Sequence, residues 1–368
     1  MALYSLKPCP KRGTRKIWET REARRQTFPW GCARAYSRAA GAETQPLGVK
    51  RQPMSSSLDV QRIRLFLLVT FGAAWLIMIG GRVSGLLPTA PQGAGHLAVL
   101  LAVLYTPLLA RYICLRNEGA SSGLGGRVWP IPHKPALLAI LGVPALFALM
   151  YAVSGVLGEG SPQWGIPVLM QQLPSADELG LDQPLPAGFF LIVGFIFSIV
   201  LGPTLYALAW FGNELGWRDY LLPHLMPLGR ARAYALGGAL WGVWLSPIVW
   251  LGYVTPNQRV MSVGLLLLTA ILLTFVLGEL WRRTRHPGLV AVAMGCFFGQ
   301  VQGMWFYLYP EPELPWQGPF GLIASVFWAL TALALFVLPE RYQLQPQPAP
   351  AVAAQTEQPS PASSESAQ

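Results

Sequence analysis

Ala187-Gly-Phe-Phe-Leu-Ile-Val-Gly-Phe-Ile-Phe-Ser-Ile-Val-Leu-Gly-Pro-Thr-Leu-Tyr-Ala-Leu-Ala-Trp-Phe211 carries no charged side chain and leads straight into Gly212-Asn-Glu-Leu-Gly-Trp-Arg-Asp-Tyr-Leu-Leu-Pro-His-Leu225. A helix rises about 1.5 Å per residue, so an apolar run of about 20 residues crosses the hydrocarbon core of a bilayer. The first part of the stretch therefore reads as a transmembrane helix, and the second as polar groups gathered at its end. Similar blocks at about 63–81, 94–114, 135–158, 234–254, 261–281, 288–309 and 319–338 bring the number to eight. Of the 368 residues, 53% are hydrophobic and 12% charged, about half the charge of a soluble domain. The expected fold is all-α: a polytopic membrane protein with about eight transmembrane helices. Soluble enzyme folds are excluded for most of the chain.

The formal net charge of +10 is not spread evenly. Residues 1–53 hold twelve Lys and Arg against Glu19, Glu22 and Glu43, a balance of +9, which leaves +1 for the rest. The basic balance thus implies no nucleic-acid partner for the membrane body. Residues 1–53 have no apolar run that could serve as a signal-peptide core. They read as a transit peptide, as a polybasic arm on anionic lipid, or as translated sequence upstream of a start at Met54. The last is favoured, because Met54-Ser-Ser-Ser-Leu-Asp59 forms a short polar lead into the first block. At the other end, 342–368 is rich in Pro, Gln and Ser and has little to bury, so a disordered tail is expected after a membrane domain at 54–341. Cys9, Cys32, Cys114 and Cys296 have no metal-ligand spacing and read as free thiols. The sequence leaves cofactor and metal requirement open.

Basic residues set the expected orientation. With a cytoplasmic N-terminus, the inner side receives Arg62, Arg64, Arg111, Arg116, Arg127, Lys134, Arg218, Arg230, Arg232, Arg282, Arg283, Arg285 and Arg341, and the outer side only Arg82 and Arg259. Both termini are then cytoplasmic, 212–233 and 282–287 face inward, and the Pro-rich loop 159–186 lies outside.

Within the polar stretch, Glu214 and Arg218 are spaced i,i+4 with the acid nearer the N-terminus, the favourable order for a pair on one helical face. Ionisable residues beside a bilayer core are costly and are candidates for function as well as for structural pairing. Asn213-Glu214-Leu215-Gly216-Trp217-Arg218-Asp219-Tyr220-Leu221-Leu222-Pro223 resembles the first motif, Glu-Glu-x-x-x-Arg, of the CPBP family. These are the CAAX-processing and bacteriocin-processing intramembrane endopeptidases, also called the Abi family. Trp241-Gly-Val-Trp-Leu-Ser-Pro247 is similar to a second motif, Trp-Gly-Leu-Trp-His-x-Pro. Arg283-Thr-Arg-His286 and the seventh block echo a third, with His-x-x-x-Asn on a helix. The similarity covers roughly 186–308.

The resemblance implies a CPBP-like core in which the first Glu activates water while histidines and an asparagine position it and stabilise the oxyanion. In this chain Asn213 stands at that first Glu and Leu245 at the second-motif His. The third-motif His falls on Met294 or Gly295, and the Asn on Phe298 or Gly299. Glu214 and Arg218 alone keep the catalytic pattern. One helical step should turn Glu214 about 100° from the place of the missing base. His224 and His286 are the available substitutes, though an interfacial His needs no catalytic role. Gly295, Gly299 and Gly303 recur every four residues, as do Gly238 and Gly242, which favours close helix contact in lipid. Gln300 and Gln302 point about 200° apart, so at least one needs a partner inside the bundle.

The expected function is that of a catalytically degenerate CPBP-type endopeptidase homologue in a bacterial inner membrane. It would act by binding a membrane protein, a peptide or a prenylated peptide. An active endopeptidase with a rearranged site and a small-solute or lipid transporter are the alternatives, the latter without a visible broken-helix pair.

Overall fold

The computed structural model describes residues 58–87, 93–119, 128–158, 160–173, 175, 182–251, 258–310 and 314–339. The extension at 1–53, the start at Met54 and the tail at 342–368 lie outside the described residues.

Every regular element described is helical. Helix α1 is Val60–Val83; α2 is Gly93–Leu104 and α3 Thr106–Asn117; α4 is His133–Val156; α5 is the short Pro167–Met170. The fourth predicted block is far longer than expected. Helix α6 (Ala187–Leu201) passes through a π segment (Gly202–Tyr206) into α7 (Ala207–Glu214). A second π segment (Leu215–Leu221), α8 (Leu222–Leu225) and a 3₁₀ turn (Met226–Leu228) complete this span of 42 residues. Then follow α9 (Arg230–Trp250), α10 (Arg259–Thr284), α11 (Pro287–Val301), α12 (Met304–Leu308) and α13 (Leu322–Val337).

Among the described residues seven helices are long and apolar enough to cross a membrane, and the chain is an integral membrane protein. The eighth expected block forms a shorter apolar helix. Its helix has 16 residues, about 24 Å, short of a hydrocarbon core of about 30 Å. Gly318, at φ 81°, and the turn up to Gly321 hold the start of that apolar run out of the helix. Apolarity shows where lipid is suited, while helix length also needs backbone that can continue.

Local chemistry sets several ends. Asp59 caps α1 by accepting from the Arg62 amide at 3.1 Å and pairs with the Arg62 guanidinium at 2.7 Å. Arg285 closes α10 in the left-handed region at φ 52°. His286 Nδ1 then accepts from the Leu289 amide at 3.1 Å, and Pro287 opens α11 where its missing N–H costs nothing. The outer faces stay apolar: Leu68 and Leu76 of α1 are each 72% exposed, as a lipid-facing helix requires. The described part of the long loop is tied to the bundle, with the Gln163 amide donating to the Leu308 carbonyl at 2.9 Å and Ile166 fully buried.

Both glycine stripes mark backbone-to-backbone contact. A Cβ on Gly238 would lie 2.5 Å from the Cα of Ile271, and one on Gly295 2.3 Å from the Gly202 carbonyl oxygen. Helix α11 therefore presses on the first π segment, and α9 on α10. On the long span, Gly212 meets the Tyr105 ring and Gly216 meets Pro107, at the break between α2 and α3. These approaches seat the polar stretch in the centre of the bundle. Of the two glutamines, Gln300 is buried and accepts from Trp305 Nε1 at 3.0 Å, while Gln302 is exposed.

Candidate functional site

The polar residues of the long span converge inside the protein. Asn213 and Glu214 have no exposed surface and Arg218 is 1% exposed. Arg218 Nη1 donates to Glu214 Oε1 at 3.2 Å and to Asn213 Oδ1 at 3.5 Å, and Nη2 donates to Thr274 Oγ1 of α10 at 3.4 Å. Its guanidinium lies 4.2 Å from the centre of the Trp241 ring of α9, a cation–π contact in a desolvated setting.

The expected i,i+4 pair is therefore present. Oxygens of both the Asn213 and Glu214 side chains reach the same guanidinium nitrogen, which the i,i+4 spacing alone does not predict. The cause is the π segment that begins at Leu215. Its i→i+5 bonding brings residues five apart toward one face, so Arg218 reaches Asn213 as well as Glu214.

The cluster is short of partners. Asn213 Nδ2, Arg218 Nε, and Nε1 of Trp217, Trp241 and Trp244 are buried without a hydrogen bond, as is Glu214 Oε2. Five donors and one acceptor are thus unused, where nearly all buried polar groups in proteins are satisfied. A cavity of about 10 Å³ touches the group, lined by Trp217, Arg218, Gly237 and Thr274, with room for about one water. Chemically the site suits an oxygen acceptor such as water or a carbonyl. Its single carboxylate is already committed to Arg218.

The other residues singled out by sequence occupy apolar or capping roles. Leu245, one turn beyond Trp241 on α9, is part of the buried core. Phe298 stacks on Trp210, one turn before Asn213, with ring centres 4.1 Å apart. Met294 is buried, and Gly295 and Gly299 lie against the Gly202 and Ala207 backbone. His224 Nδ1 is 2.7 Å from the Tyr220 carbonyl. His286 uses both ring nitrogens, Nε2 donating to the Pro130 carbonyl at 3.0 Å while Nδ1 caps α11. That arrangement needs the neutral ring, and burial holds the His286 pKa below its ordinary value. Neither histidine is joined to the Glu214 cluster by a hydrogen bond. Cys114 and Cys296 are buried free thiols; Cys9 and Cys32 lie outside the described residues.

A second buried carboxylate, passed over in the sequence reading, lies near the end of α10. Glu279 Oε1 accepts from Tyr234 at 2.9 Å, and its oxygens meet Arg282 at 2.9 Å, Arg283 at 3.3 Å and Arg230 at 3.4 Å. Arg230 also donates to the Phe336 carbonyl at 2.8 Å, and Arg283 to the Leu338 carbonyl at 2.9 Å and to that of Leu335. These are carbonyls at the end of α13, which no intrahelical amide can satisfy. The signal was available, because Glu279 is an acid inside an apolar block, the criterion that singled out Glu214. Thr274 carried no such signal.

No family model, curated protein or solved structure matches the chain.

Proposed function

We propose that this protein is a catalytically silent, CPBP-like membrane protein whose buried Asn213–Glu214–Arg218 site serves binding rather than peptide hydrolysis. The observation that carries the reading is the state of Glu214: fully buried, paired with Arg218 and hydrogen-bonded to no histidine. A general base must reach the water it deprotonates and must have a pair of electrons free for the proton. Asn213 can orient a water through its amide but has no basic lone pair near neutral pH. The Trp210–Phe298 stack and the close approach of Gly295 to Gly202 fill with apolar contact the places where the resemblance expects a histidine and an asparagine. What remains is a sealed, donor-rich cluster with room for about one water, which a carbonyl of a membrane protein, a peptide or a prenylated peptide reaches only when the surrounding helices part.

In the same reading 282–287 and the Arg230 end of α9 face the cytoplasm, while the expected inward-facing stretch at 212–233 is corrected: it is helix to Leu228, with Asn213, Glu214 and Arg218 buried in the bundle. Arg230, Arg282 and Arg283 gather at one end of α9 and α10, whereas Arg82 and Arg259 belong to the opposite ends of α1 and α10.

The test is the full chain in liposomes with prenylated and leader-type peptides, cleavage being read by mass spectrometry and binding by fluorescence anisotropy. Binding without cleavage is expected. Cleavage by the native chain overturns the silent reading, and failure to bind any of the peptides overturns the binding role.

A further inference from the structure

At the end of α9 away from the arginine cluster, an apolar groove of about 400 Å³ opens between α1, α9 and α10, a volume within the range of small-molecule sites. Trp75 and Ile79 of α1 form one wall, and Ser246 and Trp250 of α9 with Val263 of α10 the other. Arg82, in the last turn of α1, stands among the lining residues.

Apolar walls alone would suit any lipid chain. The polar rim is more selective. Arg82 is exposed, its hydrogen bond to the Leu87 carbonyl is long at 3.4 Å, and among the described residues it has no carboxylate partner. Arg259, the other cation assigned to this end of the bundle, begins α10 one turn before Val263. Trp75 and Trp250, both in the groove wall, are 40% and 55% exposed. The α9 wall is also finished for an apolar neighbour. Pro247 has no amide to give the Val243 carbonyl, and Ser246 Oγ donates to that carbonyl at 2.8 Å instead.

We propose that this groove is a selective site for an anionic phospholipid, holding one acyl chain between α1 and α9 with the headgroup phosphate at Arg82. A guanidinium matches phosphate oxygens with paired donors, and an unpaired Arg at the membrane edge has that capacity to spare. The site rests neither on the family resemblance nor on the state of Glu214.

The experiment uses the full chain reconstituted with equal amounts of phosphatidylglycerol and phosphatidylcholine of matched chains, with retained lipid counted by native mass spectrometry. Phosphatidylglycerol should be retained in preference. Arg82→Gln should lower that preference about fivefold, the contribution of one basic residue at an anionic surface. Ser246→Phe, which fills the groove, should abolish retention of both lipids, whereas Leu205→Phe on a lipid-facing site 59% exposed should change neither. Equal retention of the two headgroups by the native chain overturns the proposal, as does undiminished phosphatidylglycerol on Ser246→Phe. Arg82→Gln alters an exposed side chain, so it carries the test even if Ser246→Phe does not fold; an unchanged preference there overturns the proposal too.

Discussion

Glu214 and Glu279 are both fully buried carboxylates of the same helical bundle, yet one shares a single guanidinium and the other has three within 3.4 Å together with a tyrosine hydroxyl. The Glu279 cluster is accounted for by architecture. Its arginines neutralise the acid and cap the last carbonyls of α13, holding down the end of that short apolar helix. The Glu214 cluster has no such account. It keeps five unused donors and a free carboxylate oxygen in the interior, a cost that stability alone gives no reason to retain. The contrast separates a well-supplied carboxylate cluster from an under-supplied one.

The sharpest way to break the contrast is to remove one partner from each. Arg218→Met strands Glu214 with no other cation, and should cost about 3–5 kcal/mol by thermal unfolding in detergent. At the membrane edge, where the sequence places this pair, water would reduce that cost; full burial removes the discount. The Glu214→Gln, Arg218→Met double variant should regain part of the loss, and strictly additive losses would sink the ion-pair account.

Glu279→Gln leaves three arginines facing a neutral amide, but each is partly exposed and two also hold α13 carbonyls. A loss of about 1–3 kcal/mol is expected in the same assay. A loss above that of Arg218→Met would invert the comparison.

His286, next to the Glu279 cluster in sequence, sharpens the comparison through pH. Its folded-state pKa lies below the ordinary 6.5, so over the interval beneath 6.5 the unfolded chain binds more protons. Its contribution is then fully present above pH 6.5 and lost as the pH falls through that interval. His286→Ala should cost about 1 kcal/mol at pH 8 through loss of the α11 cap, and less below pH 6. His286→Asn, which can still cap, should keep stability and lose that pH dependence. Unfolding scans of the three proteins at pH 5.5 and 8 decide it.

The smallest effect is expected for Arg282→Gln, below about 1 kcal/mol, because Glu279 keeps Arg230, Arg283 and Tyr234. A loss equal to that of Arg218→Met would mean the Glu279 cluster is no better supplied than the Glu214 site.

Much of this was legible without coordinates. Apolar blocks located the seven spans because a bilayer demands one kind of side chain over a fixed length, and the Gly295 and Gly238 stripes gave the close helix contacts because only the missing Cβ allows them. The Glu214–Arg218 pair was legible from its i,i+4 spacing. Asn213 joining it was not, since that depends on a π segment, and a sequence reading assumes 100° per residue. Thr274 and Trp241 were equally hidden as partners, being brought to Arg218 by α10 and α9.

The sequence by itself determined that the chain lives in a membrane, where its helices run, and which acid and base would pair, because composition and local periodicity act over neighbouring residues. Tertiary structure alone decided that Glu214 is sealed and under-satisfied while Glu279 is clamped, that the last block forms a helix of only 16 residues, and that Arg82 stands over an apolar groove. Those facts depend on which distant helices meet, and burial and hydrogen-bond supply are properties of that meeting.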